Sequence, residues 1–284
     1  MPVCFLPNRG LIGVSGPDAA SFLDNLLTVS VVGLKKGEAR YGALLTPQGK
    51  IIVDGLIVAT DDGFVIDCPG ALASDFARRL GFYKLRVKVD ITNRSDAWAV
   101  MVGWQGAPVP QEAIVSFSDP RHPALGWRSI VEAAHRSDKA SSEAEYDAHR
   151  IALGIPEGGL DFIYGDAFPH EADMDQLHGV DFTKGCYVGQ EVVSRMQHRG
   201  TARTRCVPIR FVDGTSAPEG TDALAGQKIC GRIGSSASNG SAIGLLRLDR
   251  VLEAMAAGEA LSANGHAFVI ERRDWIQFEL MGAS

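Results

Sequence analysis

Apolar and polar positions along the first hundred residues repeat with two different periods. Leu11-Ile12-Gly13-Val14 reads as a short strand, and Ser15 with Pro17 supplies a capping residue and an early proline ahead of Phe22, Leu23, Leu26 and Leu27 at helical spacing. A strand feeding a helix is therefore expected. Residues 41–45, 51–59 and 64–67 are rich in β-formers and are separated by Thr46-Pro47-Gln48-Gly49 and Asp61-Asp62-Gly63, which predicts an antiparallel meander. A helix is predicted over 71–80. Residues 86–91 alternate with period two, as a half-buried strand does, and 98–102 is expected to continue the same sheet.

Residues 103–123 are loose, polar and proline-containing, and a strand is expected around 126–131. Ser142 followed by Glu145 has capping-box spacing, and Ala144, Ala148, Ile151 and Ala152 share one face of the helix that follows, until Gly154-Ile155-Pro156 stops it. Beyond Thr204, short β-like runs at 207–212, 228–233, 243–248, 267–271 and 276–280 predict a small barrel, with 235–241 as a flexible loop. Antiparallel strands interrupted by helices make the fold class α+β.

The 284 residues carry 28 basic and 34 acidic side chains, a net charge of -6. That balance argues against a body-wide nucleic-acid surface or attraction to an anionic membrane. No basic cluster followed by an apolar run opens the chain, and no apolar run approaches the roughly twenty residues of a membrane span. The five cysteines (4, 68, 186, 206 and 230) are far apart and never form C-x-x-C. They suit a reducing cytoplasmic setting and no resident metal.

Residues 168–205 hold the candidate chemistry. Gly185 and Gly189 bracket Cys186, and Val188, Val192 and Met196 suggest a helix starting just after the cysteine. Its amide dipoles, with Lys184 nearby, would favour the Cys186 thiolate; the alternative is a small buried cysteine in a turn. Glu191, Arg195 and Arg199 form an i, i+4, i+8 ladder. Residues 184–210 hold six basic side chains against one acidic, whereas 141–183 hold ten acidic against one basic. The anion-seeking surface is expected on this arginine-bearing stretch.

Lys184-Gly-Cys-Tyr-Val-Gly-Gln-Glu191 resembles the K-G-C-[FY]-x-G-Q-E signature of the YgfZ-type folate-binding proteins, relatives of the glycine-cleavage T-protein that support iron-sulfur cluster assembly and repair. Residues 22–28 (FLDNLLT), 43–50 (ALLTPQGK) and 150–157 (RIALGIPE) fit that family in order. The resemblance implies a three-lobed T-protein-like arrangement: a folate-binding core from 1–30 and 103–203, an inserted α+β domain at 31–102, and a C-terminal β-barrel domain at 204–284. It also implies tetrahydrofolate, or a one-carbon derivative, as cofactor. Glu171 in Phe-Pro-His-Glu resembles the stretch that supplies a carboxylate to the pterin. Lys184, Tyr187, Gln190, Glu191, Arg195, Arg199 and Arg203 are candidate folate contacts, with Arg205 a further candidate for the glutamate tail and Tyr41 for an aromatic wall.

Departures from the T-protein matter as well. Only Asp54 remains of its aspartate pair, and Cys186 takes the place of an acid, which argues against aminomethyl transfer. Three functions compete, against a bland fourth option of a binding scaffold with no ligand. One is a tetrahydrofolate-binding accessory protein for assembly or repair of iron-sulfur enzymes, with Cys186 in redox chemistry or transient cluster contact and iron-sulfur client or assembly proteins as partners. The second is a one-carbon transferase with Asp54 as general base. The third is a folate-dependent tRNA-modification factor using Arg195–Arg205 for weak tRNA contact.

Overall fold

A computed structural model describes residues 1–135, 141–200 and 202–278. The chain forms two compact units. The first comprises Met1–Tyr146 and Leu177–Glu191, and the second Asp147–Gln176 and Val192–Ser284. No helix among the described residues is long and apolar enough to cross a membrane.

The first unit contains two antiparallel sheets. One orders β3 (Ala39–Leu45), β4 (Ile51–Thr60), β5 (Gly63–Pro69), β2 (Arg9–Ser15) and β6 (Asp90–Asn93) side by side. The meander is present as expected. Strand β2, from the expected core segment 1–30, thus shares a sheet with strands from the expected insert 31–102. Helix α1 (Ala19–Asp24) and helix α2 (Gly70–Tyr83) cover this sheet, burying Phe22, Leu23, Ala73, Phe76 and Leu80 against Ile12, Ile57 and Ile66. Helix α1 ends two residues before Leu26, yet Leu26 and Leu27 are still buried from the segment that follows.

Only the end of the predicted strand at 86–91 is strand. The Lys88 amide donates to the Asp18 carboxylate at 2.8 Å rather than to a neighbouring strand, so pairing with β2 begins at Asp90. The other sheet orders β1 (Val3–Leu6), β7 (Trp98–Gly103), β9 (Trp127–Glu132) and β8 (Val115–Ser118). Strand β7 belongs to this sheet and not to the meander. Strands β1 and β8 are four residues each, too short to show a period.

In the second unit, helix α3 (Glu143–Leu153), whose first residues lie in the first unit, opens with the expected capping box. The Glu145 carboxylate accepts from the Ser142 amide at 2.6 Å, and the Glu145 amide donates back to the Ser142 hydroxyl. Helix α4 (Gln190–Arg199) leads into a closed six-stranded barrel. Its order is β10 (Thr204–Phe211), β13 (Ser241–Arg247), β12 (Lys228–Ser236), β11 (Asp222–Ala225), β14 (Leu261–Ala263) and β15 (His266–Ile270). Closure leaves no unpaired edge. The amphipathic helix α5 (Leu248–Ala256) buries Leu248, Val251 and Ala254 in the same core.

Residues 235–241, expected as a flexible loop, include the end of β12 and a tight turn in which the Ala237 amide donates to the Ser241 carbonyl at 2.8 Å. Of the strand expected over 276–280, residues 276–278 are irregular, with Trp275 donating its indole N–H to the Leu153 carbonyl at 3.0 Å. Residues 279 and 280 lie outside the described residues.

Candidate functional site

The K-G-C-Y-V-G-Q-E segment is a loop that enters α4. The Asp181 carboxylate accepts from the Thr183 hydroxyl and amide and from the Lys184 amide, closing a turn. Burial works to raise the Asp181 pKa, but the Thr183 hydrogen bonds outweigh it and lower it. The Lys184 side chain is 2% exposed, and its ammonium donates to the carbonyls of Asp24, Leu27 (2.9 Å) and Val29 (3.0 Å). Nearby, the Thr28 hydroxyl donates to the Gly179 carbonyl at 2.6 Å, and the Asp181 amide donates to the Thr28 carbonyl. The segments 22–28 and 184–191, remote in sequence, are therefore locked together.

Gly189 completes the loop. Its φ is +82°, and a Cβ there would lie 2.6 Å from the Thr46 carbonyl oxygen and 3.0 Å from the Gly49 Cα. No other residue type fits both demands. Gln190 donates from its amide side chain to the Gly185 carbonyl at 3.4 Å. Tyr187 is 7% exposed, with its ring under the Lys184 ammonium, and its buried hydroxyl has no hydrogen-bond partner. Burial pushes its pKa up to about 12.

Cys186, framed by these contacts, is exposed, whereas the other four cysteines are buried. The expectation that it sits at a helix N-terminus is corrected. Helix α4 begins at Gln190, four residues after Cys186, which lies on the loop before it. The later start also changes which valine is buried. Val193 is fully buried, and Val192, expected in the apolar stripe, is only half-buried.

Elsewhere in the first unit, the Tyr41 hydroxyl donates to Asp54 at 2.8 Å. Burial first, then the Asp54 charge, holds the Tyr41 phenol well above its ordinary pKa. Arg121 lies over the Tyr41 ring, 5.8 Å from its centroid. It is one end of a buried ionic chain: Arg9 meets Asp67 at 2.6 Å, Arg128 bridges Asp67 (2.7 Å) and Asp119 (3.0 Å), and Arg121 meets Asp119 at 2.7 Å. Arg128 also donates to the Tyr146 hydroxyl at 3.1 Å. The sequence reading missed this chain, because Asp119, Arg121 and Arg128 fall in or beside a stretch read as loose loop.

In the second unit, Glu171 is half-buried and accepts from the Phe168 amide at 2.8 Å, while its carbonyl accepts from the Cys206 amide. Arg205 is buried in a forked pair with Asp175 and donates to the His170 carbonyl at 2.8 Å. His170 contacts Gln197 at 3.0 Å, and burial lowers its pKa. Asp173 is fully buried, and its Oδ2 has no hydrogen-bond partner. Burial, only partly offset by Arg205, holds it well above the usual carboxylate range. A cleft of about 380 Å³ is lined by His170, Gln197, Arg203, Arg205, Asp249 and Phe278.

The basic surface expected across 184–210 is smaller than its charge count. Lys184 and Arg205 are buried and engaged, and Arg210 pairs with Glu271 at 2.5 Å. Arg195, Arg199 and Arg203 are exposed, as is Glu191. No group of three or more His, Cys, Asp or Glu side chains among the described residues is arranged for a metal ion.

Residues 8–109 match the GCVT N-terminal domain and residues 203–278 match the CAF17 C-terminal beta-barrel domain. The iron-sulfur cluster assembly factor IBA57, mitochondrial, of Homo sapiens is 32% identical over 237 residues, covering 74% of this chain and 67% of that protein. The chain belongs to the IBA57 family. The IBA57 homolog of Mycosarcoma maydis is 34% identical over 236 residues, covering 75% of this chain and 58% of that protein. The chain thus spans little more than half the length of its fungal IBA57 relatives. Crystallised glycine cleavage aminomethyltransferase T from Bartonella henselae superposes with a TM-score of 0.74 at 17% identity, covering 97% of this chain and 86% of that one. The fold is T-protein-like, as the resemblance implied. The cytoplasmic setting is corrected: these IBA57 relatives are named mitochondrial. The spacing of cysteines in a sequence does not say which compartment holds the protein.

Proposed function

We propose that this IBA57-family chain is a tetrahydrofolate-binding accessory protein for the assembly or repair of iron-sulfur enzymes, in the manner of the YgfZ-type proteins it resembles. The observation that carries the reading is the exposed Cys186 thiol on a loop fixed on both sides, by Lys184 to the carbonyls of residues 24–29 and by Gly189 to the turn at Thr46. A thiol held this way can meet a cluster or a thiol of an assembly partner, with the cluster as cargo. The relatives' names as iron-sulfur cluster assembly factors support that role.

The residues of the second unit suit a folate. Glu171 offers a carboxylate whose orientation the Phe168 amide fixes, an acceptor for the paired N–H groups of a pterin. Arg203 is exposed on the cleft and would hold a tail carboxylate, while Arg205 lines the same cleft in its fork with Asp175. Lys184 and Tyr187 support the motif loop, and Gln190, Glu191, Arg195 and Arg199 are further positions to test. Asp54 accepts the Tyr41 hydroxyl and is the residue to replace when looking for one-carbon transfer.

Isothermal titration of tetrahydrofolate into wild type, Glu171→Ala, Arg199→Ala and Arg203→Ala tests the folate reading; no heat of binding with wild type overturns it. Restoration of iron-sulfur enzyme activity in a deletion strain by wild type but not by Cys186→Ala tests the thiol separately. The exposed Arg195, Arg199 and Arg203 support a second reading, contact with tRNA phosphates. It requires salt-sensitive tRNA binding that Arg199→Ala weakens.

A further inference from the structure

The last turn of α2 and the segment after it carry a surface that the candidate site does not use. Residues 81–86 are all exposed, and three of them are large and apolar: Phe82 at 64%, Tyr83 at 40% and Leu85 at 90%. Arg78, Arg79, Lys84, Arg86 and Lys88 lie in the same eleven residues, with no acidic side chain between 78 and 88. Arg78 and Arg79 pair with Asp75, and Asp18 accepts from the Lys88 amide, so Lys84, Arg86 and the Lys88 side chain carry the charge of the turn. Arg78 lies over the Phe82 ring, 5.5 Å from its centroid.

The turn is anchored at both ends. Leu80 before it and Val89 after it are buried in the sheet's core, and Val87 packs against the same cluster. The apolar side chains of 82–85 are thus held outside a core that is complete without them. Exposed apolar groups on a turn anchored at both ends, with cations and no acid between 78 and 88, match the headgroup boundary of an anionic bilayer, where Leu and aromatic side chains enter the acyl edge and Lys and Arg meet phosphates.

Two other considerations favour this surface over the alternatives. The net charge of -6 argues against attraction of the whole body to an anionic membrane, but charges more than a Debye length of about 8–10 Å away are screened, so a local basic run decides. Leu85, the most exposed large apolar residue among those described, separates a bilayer from RNA. Bases reward rings by stacking, and an aliphatic tip gains nothing from them, whereas an acyl boundary rewards it directly.

We propose that residues 78–88 form a docking surface for anionic phospholipid bilayers, with Phe82, Tyr83 and Leu85 inserted and Lys84, Arg86 and Lys88 on the lipid phosphates. The test is co-sedimentation of the full chain with vesicles of phosphatidylcholine alone or of equal parts phosphatidylcholine and phosphatidylglycerol. The expected result is binding to the phosphatidylglycerol vesicles that falls as salt rises. Leu85→Ser should weaken it about tenfold, and Arg86→Gln about fivefold. Both side chains are exposed, so circular dichroism and tetrahydrofolate titration should match wild type; the outcome is independent of the folate reading. Failure to bind at low salt, wild-type binding by both variants, or retention of tRNA through Leu85 and Arg86 with vesicles ignored would each overturn the proposal.

Discussion

The Lys184 ammonium donates to the carbonyl oxygen of Leu27 at 2.9 Å, joining the cysteine loop to the segment that follows α1. Two further carbonyls share the same cation, and burial lowers its pKa despite Asp24 and Asp181 nearby. Loss of this cation leaves three backbone acceptors without their donor. Lys184→Met should lower the unfolding free energy by about 2–4 kcal/mol and raise proteolysis around Cys186. Urea denaturation and limited proteolysis check both effects, and unchanged values would remove Lys184 from the support of the loop.

Asp119 makes the first unit acid-sensitive. Burial works against its charge, but Arg121 and then Arg128 outweigh it and hold the carboxyl well below the usual range. A depressed folded pKa stabilises the fold above the unfolded value near 3.9, and that stability drains away as pH falls below it. Asp119→Asn should cost about 3–5 kcal/mol at neutral pH, because it leaves buried arginines short of a partner. The acid limb of the stability profile should flatten in the variant. Urea unfolding between neutral and strongly acidic pH measures both.

Asp173 predicts the opposite sign. Its carboxyl is raised by burial, so its favourable contribution is complete below the unfolded value near 3.9 and is lost as pH rises through the folded one. Asp173→Asn should therefore leave the second unit unchanged or more stable at neutral pH, with little difference in acid. Thermal melts at the two pH extremes decide, and a large loss at neutral pH would contradict the assignment.

A native thiol titration should find one fast-reacting cysteine per chain, abolished in Cys186→Ser. Burial raises the Cys68 thiol to about 12 and holds Cys206 well above its ordinary value, and Cys4 and Cys230 are also buried. Two or more fast thiols would show that a buried cysteine opens readily.

The meander, the barrel and the capped α3 were legible because each repeats a local rule over enough residues to be seen. Strand β8 escaped because Val115-Ser116-Phe117-Ser118 alternates for only four positions. The pattern at 86–91 misled because Val87 and Val89 reach the core from irregular backbone and need no strand to do so. The glycines around Cys186 announced a tight loop. Nothing in the sequence announced that Asp67 faces Arg128, 61 positions away, since a charge carries no address for its partner. Counting charges also overstated the basic surface, for the same count includes Arg205 inside a fork with Asp175 and Arg195 in solvent.

The chain passes between its two units three times, at residues 146–147, 176–177 and 191–192. A growing polypeptide released from the N-terminus onward cannot finish the first unit at Tyr146. It must first make residues 147–176, which belong elsewhere, and then return 177–191 to receive the contacts of Thr28 and Lys184. No single cut yields two self-sufficient halves, and the cysteine loop is the last piece of the first unit to leave the ribosome. Closure of the first unit around the Cys186 loop therefore waits until the chain has been made through residue 191.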